Sequence, residues 1–424
     1  MPALESPVPE RAGTGALLAT AAGNALEFYD FLVYSFFAVY IGAAFFPAGS
    51  AFVSLLLSVA TFGIGFVTRP VGAALIGAYA DRAGRKPALL LTIALMTAGT
   101  LAVAATPSYA AIGVAAPLIL VAGRLLQGLA LGGDVGPATS VLLESAPPGQ
   151  RGLYSSLQGA GQAVAVLGSG VVGLGLASVL TEGDLARWGW RVAFALGLAI
   201  VPVGFFLRRR LPETLGASTE ATSAAVLARI WRHHRRAALL VILVTMCMTV
   251  GTYVGAYLTT YAQVTLHMPP WAAMLSPVAN GLVLLPGSLL GGVLADRFGR
   301  KPVMIASRVV VIALIYPAFL YLAHERTPWA LALVTAALSF SAAPGQVASV
   351  ATMGEIFPPE VRSSGLSLTY SLGVAIFGGT TQVVITWLIG ATGNPLSPAF
   401  YVIATSAVSL VAMMLLPETS RSPG

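Results

Sequence analysis

Apolar residues in this chain form long, nearly unbroken runs separated by short polar intervals. About 20 residues of α-helix cross a hydrocarbon core of about 30 Å, so each run is long enough to span a bilayer. Twelve spans are predicted, over 15–46, 51–79, 88–106, 110–143, 152–180, 189–207, 237–264, 271–295, 303–323, 329–354, 364–390 and 398–416. The longest polar interval runs from Arg208 to Arg236 and divides the spans six and six. No strand period and no soluble domain interrupts the pattern. The fold expected is all-α and embedded in the membrane.

The polar intervals carry a repeat. Gly77-Ala-Tyr-Ala-Asp81-Arg82-Ala-Gly84-Arg85-Lys86-Pro87 returns 215 residues later as Gly292-Val-Leu-Ala-Asp296-Arg297-Phe-Gly299-Arg300-Lys301-Pro302. Pro147-Pro148-Gly149-Gln150-Arg151 matches Pro358-Pro359-Glu360-Val361-Arg362, and Leu211-Pro212-Glu213-Thr214 matches Leu416-Pro417-Glu418-Thr419. The order is the same in both halves, so the chain reads as two homologous six-helix bundles. The expected division is a tail over 1–14, a bundle over 15–207, a linker over 208–236, a bundle over 237–416 and a tail over 417–424.

Composition agrees: 57% of residues are hydrophobic and 9% charged, with a mean hydropathy of +0.84, whereas soluble domains are about a quarter charged. Of the 23 Lys and Arg, all but five are assigned to the side that holds both repeated hairpins. Arg187, Arg191 and Arg326 fall opposite, and Arg69 and Arg124 within the membrane. Basic loops stay cytoplasmic, which places both termini and the linker inside. The net charge of +7 then reflects topology and contact with anionic lipid, not nucleic acid. The acidic, Pro-rich amino terminus leads into a first span and not a cleaved signal. Cys247 is the single cysteine, and the four histidines show no ligand spacing, so no metal or cofactor is expected. No nucleophile–base pair supports an enzyme.

A charge near the bilayer centre costs about 2.5–3.5 kcal/mol on insertion scales and needs a partner, water or a function. Glu27, Asp30, Arg69, Arg124 and Asp134 all fall in the apolar part of the first half, and no comparable mid-span charge is expected in the second. Asn24, Glu27 and Asp30 step by three along one side of a helix, and Arg124, Gln127 and Asp134 share an arc of about 80° on another. Three acids against two bases leave one carboxyl in surplus, able to hold a proton in a low-dielectric cavity. An anion that occupies the arginines frees the acids to protonate, which couples proton and substrate. A static salt-bridge lattice is the other reading of the same charges. From the second half, Tyr253, Tyr257, Asn280, Gln346 and Tyr370 offer neutral hydrogen bonds, as does Gln162 on the fifth helix. Small residues including Gly128 and Gly132, and glycines 159–175, suit close helix packing.

The two hairpins resemble the signature loop of the major facilitator superfamily, which implies twelve helices in two pseudo-symmetric bundles. Gly23-Asn24-Ala-Leu-Glu27-Phe-Tyr-Asp30-Phe31, Thr68-Arg69-Pro70-Val-Gly72, Gln127-Gly128-Leu-Ala-Leu-Gly132-Gly133-Asp134 and Gly189-Trp190-Arg191 are similar to segments of its metabolite–proton symporters. Asp134 stands where that family more often has Glu. The segment Tyr370-Ser371-Leu372 through Phe377-Gly378-Gly379 to Ala391-Thr392-Gly393-Asn394 looks most like citrate and tricarballylate carriers. The resemblance implies a proton-coupled importer of a small organic acid in a bacterial inner membrane, working as a monomer with the proton as coupling ion. Uptake of proline or betaine, of shikimate, oxoglutarate or aromatic acids, and drug efflux remain alternatives. It further implies that Asp81, Arg85, Glu144, Arg151 and Glu213, with Asp296, Arg300, Glu355, Arg362 and Glu418, latch the cytoplasmic side. Asp81 and Asp296 end descending helices, where a carboxylate can meet the positive N-terminus of another helix.

Overall fold

The computed structural model describes residues 25, 28–83, 85–132, 142, 146–147, 149–209, 232, 234–357 and 362–419, and every regular element among them is helical. Ten helices among these residues are long and apolar enough to cross a membrane. Two shorter ones, α1 (Phe28–Phe36) and α2 (Ala38–Phe45), form a pair bent by 71° that counts as an eleventh span if taken as one. The chain is therefore an all-α, multi-pass integral membrane protein.

The predicted spans acquire breaks that hydropathy does not register. The first bends at Phe37, where Ser58 from the next helix donates to the Ala38 carbonyl at 2.7 Å and Tyr34 donates to the Ser58 carbonyl at 3.2 Å. The second runs as α3 (Ala51–Val67) and α4 (Arg69–Ala83) through a turn at Thr68. After α5 (Arg85–Ala105) comes α6 (Ala115–Gly132), preceded by a short helix that ends at Gly113 with φ +59°. Then come α7 (Arg151–Val179) and α8 (Trp190–Arg209).

Beyond the linker lie α9 (Arg235–Val264), α10 (Leu275–Phe298), α11 (Arg300–Glu325) and α12 (Pro328–Glu355). The next span is α13 (Arg362–Gly373) and α14 (Gly379–Thr392), joined by a π-helical turn over Val374–Gly378, and the last is α15 (Ser397–Leu415). Ser50 and Thr327 start α3 and α12 by accepting from the N–H of Val53 and Ala330, the N-cap role that short hydroxyl side chains fill.

Large apolar side chains remain exposed around the outside, as expected of a surface that faces lipid tails. Trp188, Trp271, Trp329 and Trp387 are all exposed, near helix ends, where an indole suits the membrane interface.

Two antiparallel helix pairs join the earlier and later helices. In α7 and α10, Gly152 faces Gly292, Gly159 faces Ser288, Gly170 faces Pro277 and Gly173 faces Met274. The small-residue surface expected on α7 is thus a seam, although Gly168 and Gly175 have nothing within 4 Å and take no part in it. In α3 and α14, Gly63 faces Gly379 and Phe52 faces Gly390. Each pair touches toward both ends.

Candidate functional site

One grouping of buried charge forms where α1, α3, α4 and α6 meet. Gly128 brings α6 against α3: a Cβ there would lie 1.7 Å from the Gly65 carbonyl oxygen, and Thr68 seals the crossing by donating to the Leu125 carbonyl at 2.9 Å. That approach buries Arg124 completely, with Arg69 close by at 5% exposure. The guanidinium carbon of Arg124 lies 4.6 Å from the Phe31 ring centroid, 4.5 Å from Tyr34 and 5.2 Å from Phe62. That of Arg69 lies 5.2 Å from the same Phe31 ring and 4.5 Å from Phe66. Phe31 therefore serves both cations.

A desolvated cation–π contact contributes about 2 kcal/mol, so these rings offset much of the burial cost without neutralising either charge. Neither arginine forms an ion pair among the described residues, and Arg69 Nε, Arg124 Nε and Arg124 Nη2 lack hydrogen-bond partners there.

Arg124 and Asp30 are linked indirectly. Arg124 Nη1 donates to Gln127 Oε1 at 2.6 Å, Gln127 Nε2 donates to Thr100 Oγ1 at 3.0 Å, and Thr100 donates to Asp30 Oδ2 at 2.5 Å. Four buried side chains from α1, α5 and α6 thus form one relay. The second Asp30 oxygen, Oδ1, has no partner among the described residues and faces Gly197 of α8, where a Cβ would come within 2.2 Å of it. Asp30, Arg69, Arg124 and Gln127 are brought together around Phe31 and Thr100. Asn24, Glu27, Asp134, Glu144 and Glu213 lie outside the described residues, as do the side chains of Asp81, Arg85 and Arg362.

Two cavities adjoin this cluster across the seam. The first, of about 50 Å³, is lined by Gln158, Gln162, Thr249, Thr252, Tyr253, Gln346 and Tyr370 among others. The second, of about 90 Å³, shares Phe28, Gln162, Thr252 and Gln346 with it and reaches Asn280, Arg308 and Thr335. Gln162, Tyr253, Asn280, Gln346 and Tyr370 each line one or both of these cavities. Tyr257 does not: it is buried in the core of the later helices and accepts a hydrogen bond from Thr386 at 3.0 Å. Arg69 and Arg124 line neither cavity and sit behind Tyr253, whose ring packs edge-on against Phe66 at 5.0 Å.

The second repeated hairpin forms a separate polar cluster. Gln150 provides no side-chain cap for α7, and Asp296 of α10 fills that place by accepting from the backbone N–H of Gly152 at 2.8 Å and Leu153 at 2.9 Å. Arg300 lies 3.2 Å from Asp296 and 3.3 Å from Glu355, while Thr419 donates to Glu355 at 2.6 Å. Glu418 accepts from the N–H of both Arg300 and Lys301 at 3.0 Å and so caps α11. Residues 418 and 419, which fall in the tail expected over 417–424, are thereby bound into the hairpin. Arg151 opens α7 beside Asp296 without an ion pair to it among the described residues.

The second half does hold a mid-span charge, contrary to expectation. Arg308 is buried eight residues, about 12 Å, into α11. It fell inside the predicted span 303–323 yet was assigned to the neighbouring basic hairpin. Thr100 was also missed, because a lone threonine in an apolar run more often bonds its own helix. Phe31 closes the motif Gly23–Phe31, but nothing in the sequence marks it as the ring between two cations.

Residues 16–234 match the family model described as sugar (and other) transporter, and residues 275–424 match that of the major facilitator superfamily. The citrate-proton symporter of Salmonella typhi is 36% identical over 418 residues, covering 98% of this chain and 96% of that protein. The alpha-ketoglutarate permease of Escherichia coli (strain K12) is 33% identical, covering 96% and 94%. A putative proline/betaine transporter of Staphylococcus aureus (strain COL) is 31% identical, covering 94% and 87%. Among solved structures, a D-xylose-proton symporter superposes with a TM-score of 0.76 at 20% identity, over 96% of this chain and 99% of that one, which concerns the fold alone. The chain belongs to the major facilitator superfamily.

Proposed function

We propose that this major facilitator is a proton-coupled symporter that imports a di- or tricarboxylate, with citrate or tricarballylate the leading candidates. The observation that carries the reading is a pair of buried guanidiniums with no carboxylate partner among the described residues, one joined to Asp30 through Gln127 and Thr100. Guanidinium binds carboxylate as a bidentate fork, so two of them suit a substrate with more than one carboxylate. The citrate and oxoglutarate relatives, near full length, support the same class. A zwitterion such as betaine brings one carboxylate and leaves one arginine uncompensated.

In this reading, Arg69 and Arg124 attract the anion, and Asp30, with Glu27 and Asp134, carries the proton. Gln162, Tyr253, Asn280, Gln346 and Tyr370 complete the cavity. The chain comprises two six-helix bundles over 15–207 and 237–416, with the bent α1–α2 pair as first span and α8 as sixth, and a linker over 208–236. It sits in a bacterial inner membrane with both termini cytoplasmic. The α7–α10 and α3–α14 seams then separate in turn on either side, the alternating access that two repeats permit. The hairpin cluster around Asp296, Arg300, Glu355 and Glu418 serves as the cytoplasmic latch.

Uptake of labelled citrate into proteoliposomes tests this. Accumulation should rise with acid outside and collapse with a protonophore. Accumulation that ignores the proton gradient and follows sodium would remove the coupling ion, and uptake of betaine but not citrate would remove the substrate class.

A further inference from the structure

Arg308 has no part in the arginine cluster, the relay or the hairpin. It is 3% exposed, and its Nε has no hydrogen-bond partner among the described residues. Among the described residues it donates from Nη1 to Ser406 Oγ at a long 3.4 Å, and no carboxylate there lies within ion-pair distance. An unpaired guanidinium at this depth costs several kcal/mol unless something fills its remaining donors. Unlike Arg69 and Arg124, it is stacked on no ring among the described residues, and it lines a cavity directly.

That cavity supplies the rest of a site. Asn280, Thr335 and Gln346 reach it from α10 and α12, and it meets the first cavity at Phe28, Gln162 and Thr252. Its volume of about 90 Å³ holds several water-sized groups, enough for one arm of a small acid. We propose that Arg308, flanked by Asn280 and Gln346, is a second carboxylate subsite, built into the later helices and receiving one carboxylate of a polycarboxylate substrate. The inference rests on the organic-acid reading above. It gives the later half its own charged contact with the substrate, and it separates acids with two or more carboxylates from those with one.

Citrate titrated into the purified full-length protein provides the test, with wild type compared against Arg308→Gln, Arg308→Lys and Arg69→Lys. Loss of charge-assisted hydrogen bonds should weaken citrate binding about tenfold or more in Arg308→Gln, with a smaller loss in Arg308→Lys, which keeps charge in the cavity. Betaine, with a single carboxylate, should bind all Arg308 forms alike, however weakly. If Arg308→Gln does not fold, Arg308→Lys alone decides. Citrate affinity within about threefold of wild type in a folded Arg308 variant, with Arg69→Lys impaired, would overturn the subsite and leave the organic-acid reading standing. A wild type that binds neither citrate nor other polycarboxylates would remove both.

Discussion

The Asp296 carboxylate accepts the backbone N–H of Gly152, 144 residues away, at 2.8 Å, and that of Leu153 at 2.9 Å. One side chain at the end of α10 thus caps α7, and the seam between earlier and later helices closes on a charge-assisted pair. Charge-assisted hydrogen bonds contribute about 1.5–3 kcal/mol each, so removing the charge should shift the open–closed balance strongly. Asp296→Asn keeps the shape and removes the charge. We expect turnover in counterflow to fall about tenfold while citrate affinity in detergent stays within about twofold. A folded variant that loses binding would place Asp296 in the substrate site.

Gln127 carries the link between Arg124 and Asp30 through Thr100. Gln127→Leu removes both of its hydrogen bonds at similar volume, and Thr100→Val removes the hydroxyl next to Asp30. Uphill accumulation should fall more than exchange in both variants, as it should in Asp30→Asn. Equal losses in accumulation and exchange would assign the relay to packing and not to coupling.

Gly197 leaves no room beside Asp30 Oδ1, where a Cβ would lie 2.2 Å away. Gly197→Ala must move the carboxylate or push α8 outward. Overpacking of this kind costs about 1–3 kcal/mol, so a lower melting temperature should accompany weakened proton coupling. Unchanged coupling in a folded Gly197→Ala would mean that the Asp30 position tolerates displacement.

Phe31 lies between Arg69 at 5.2 Å and Arg124 at 4.6 Å. Phe31→Leu keeps the site apolar and removes the ring quadrupole from both cations. A loss of about 1–3 kcal/mol is expected, seen as a lower melting temperature without substrate, because two cation–π contacts go at once. Citrate should restore part of the difference by occupying the freed guanidiniums. No recovery with citrate would argue that the arginines do not meet the substrate.

Arg69→Lys and Arg124→Lys retain charge but lose the planar fork, so carboxylate affinity should drop about tenfold or more in each. Arg→Lys variants paired with Asp30→Asn separate two roles. Rescue by the second substitution would favour a static lattice, and continued loss would favour substrate contact. Binding titrations with folding checked by thermal melts supply the measurement.

Hydropathy alone determined the positions of most helices, because an apolar run must satisfy its backbone hydrogen bonds within itself once it lies in lipid. The predicted spans 237–264 and 329–354 differ from Arg235–Val264 and Pro328–Glu355 by two residues or fewer at each end. Helical spacing likewise grouped Arg124 with Gln127, and repeated hairpins marked Asp296, Arg300, Glu355 and Glu418 as companions. Those relations are local or recur in the sequence.

Contacts between helices were decided only by tertiary structure. The bend at Phe37 depends on Ser58 of the next helix, the Asp30 partner Thr100 lies 70 residues away, and the cap on α7 comes from the far side of the seam. Arg308 shows the difference most sharply. The sequence puts it inside the apolar span 303–323 without showing which way it faces, whereas the packing of α10, α11, α12 and α15 buries it against a cavity. Depth and partners follow from how helices turn toward one another, and one-dimensional periodicity does not specify that rotation.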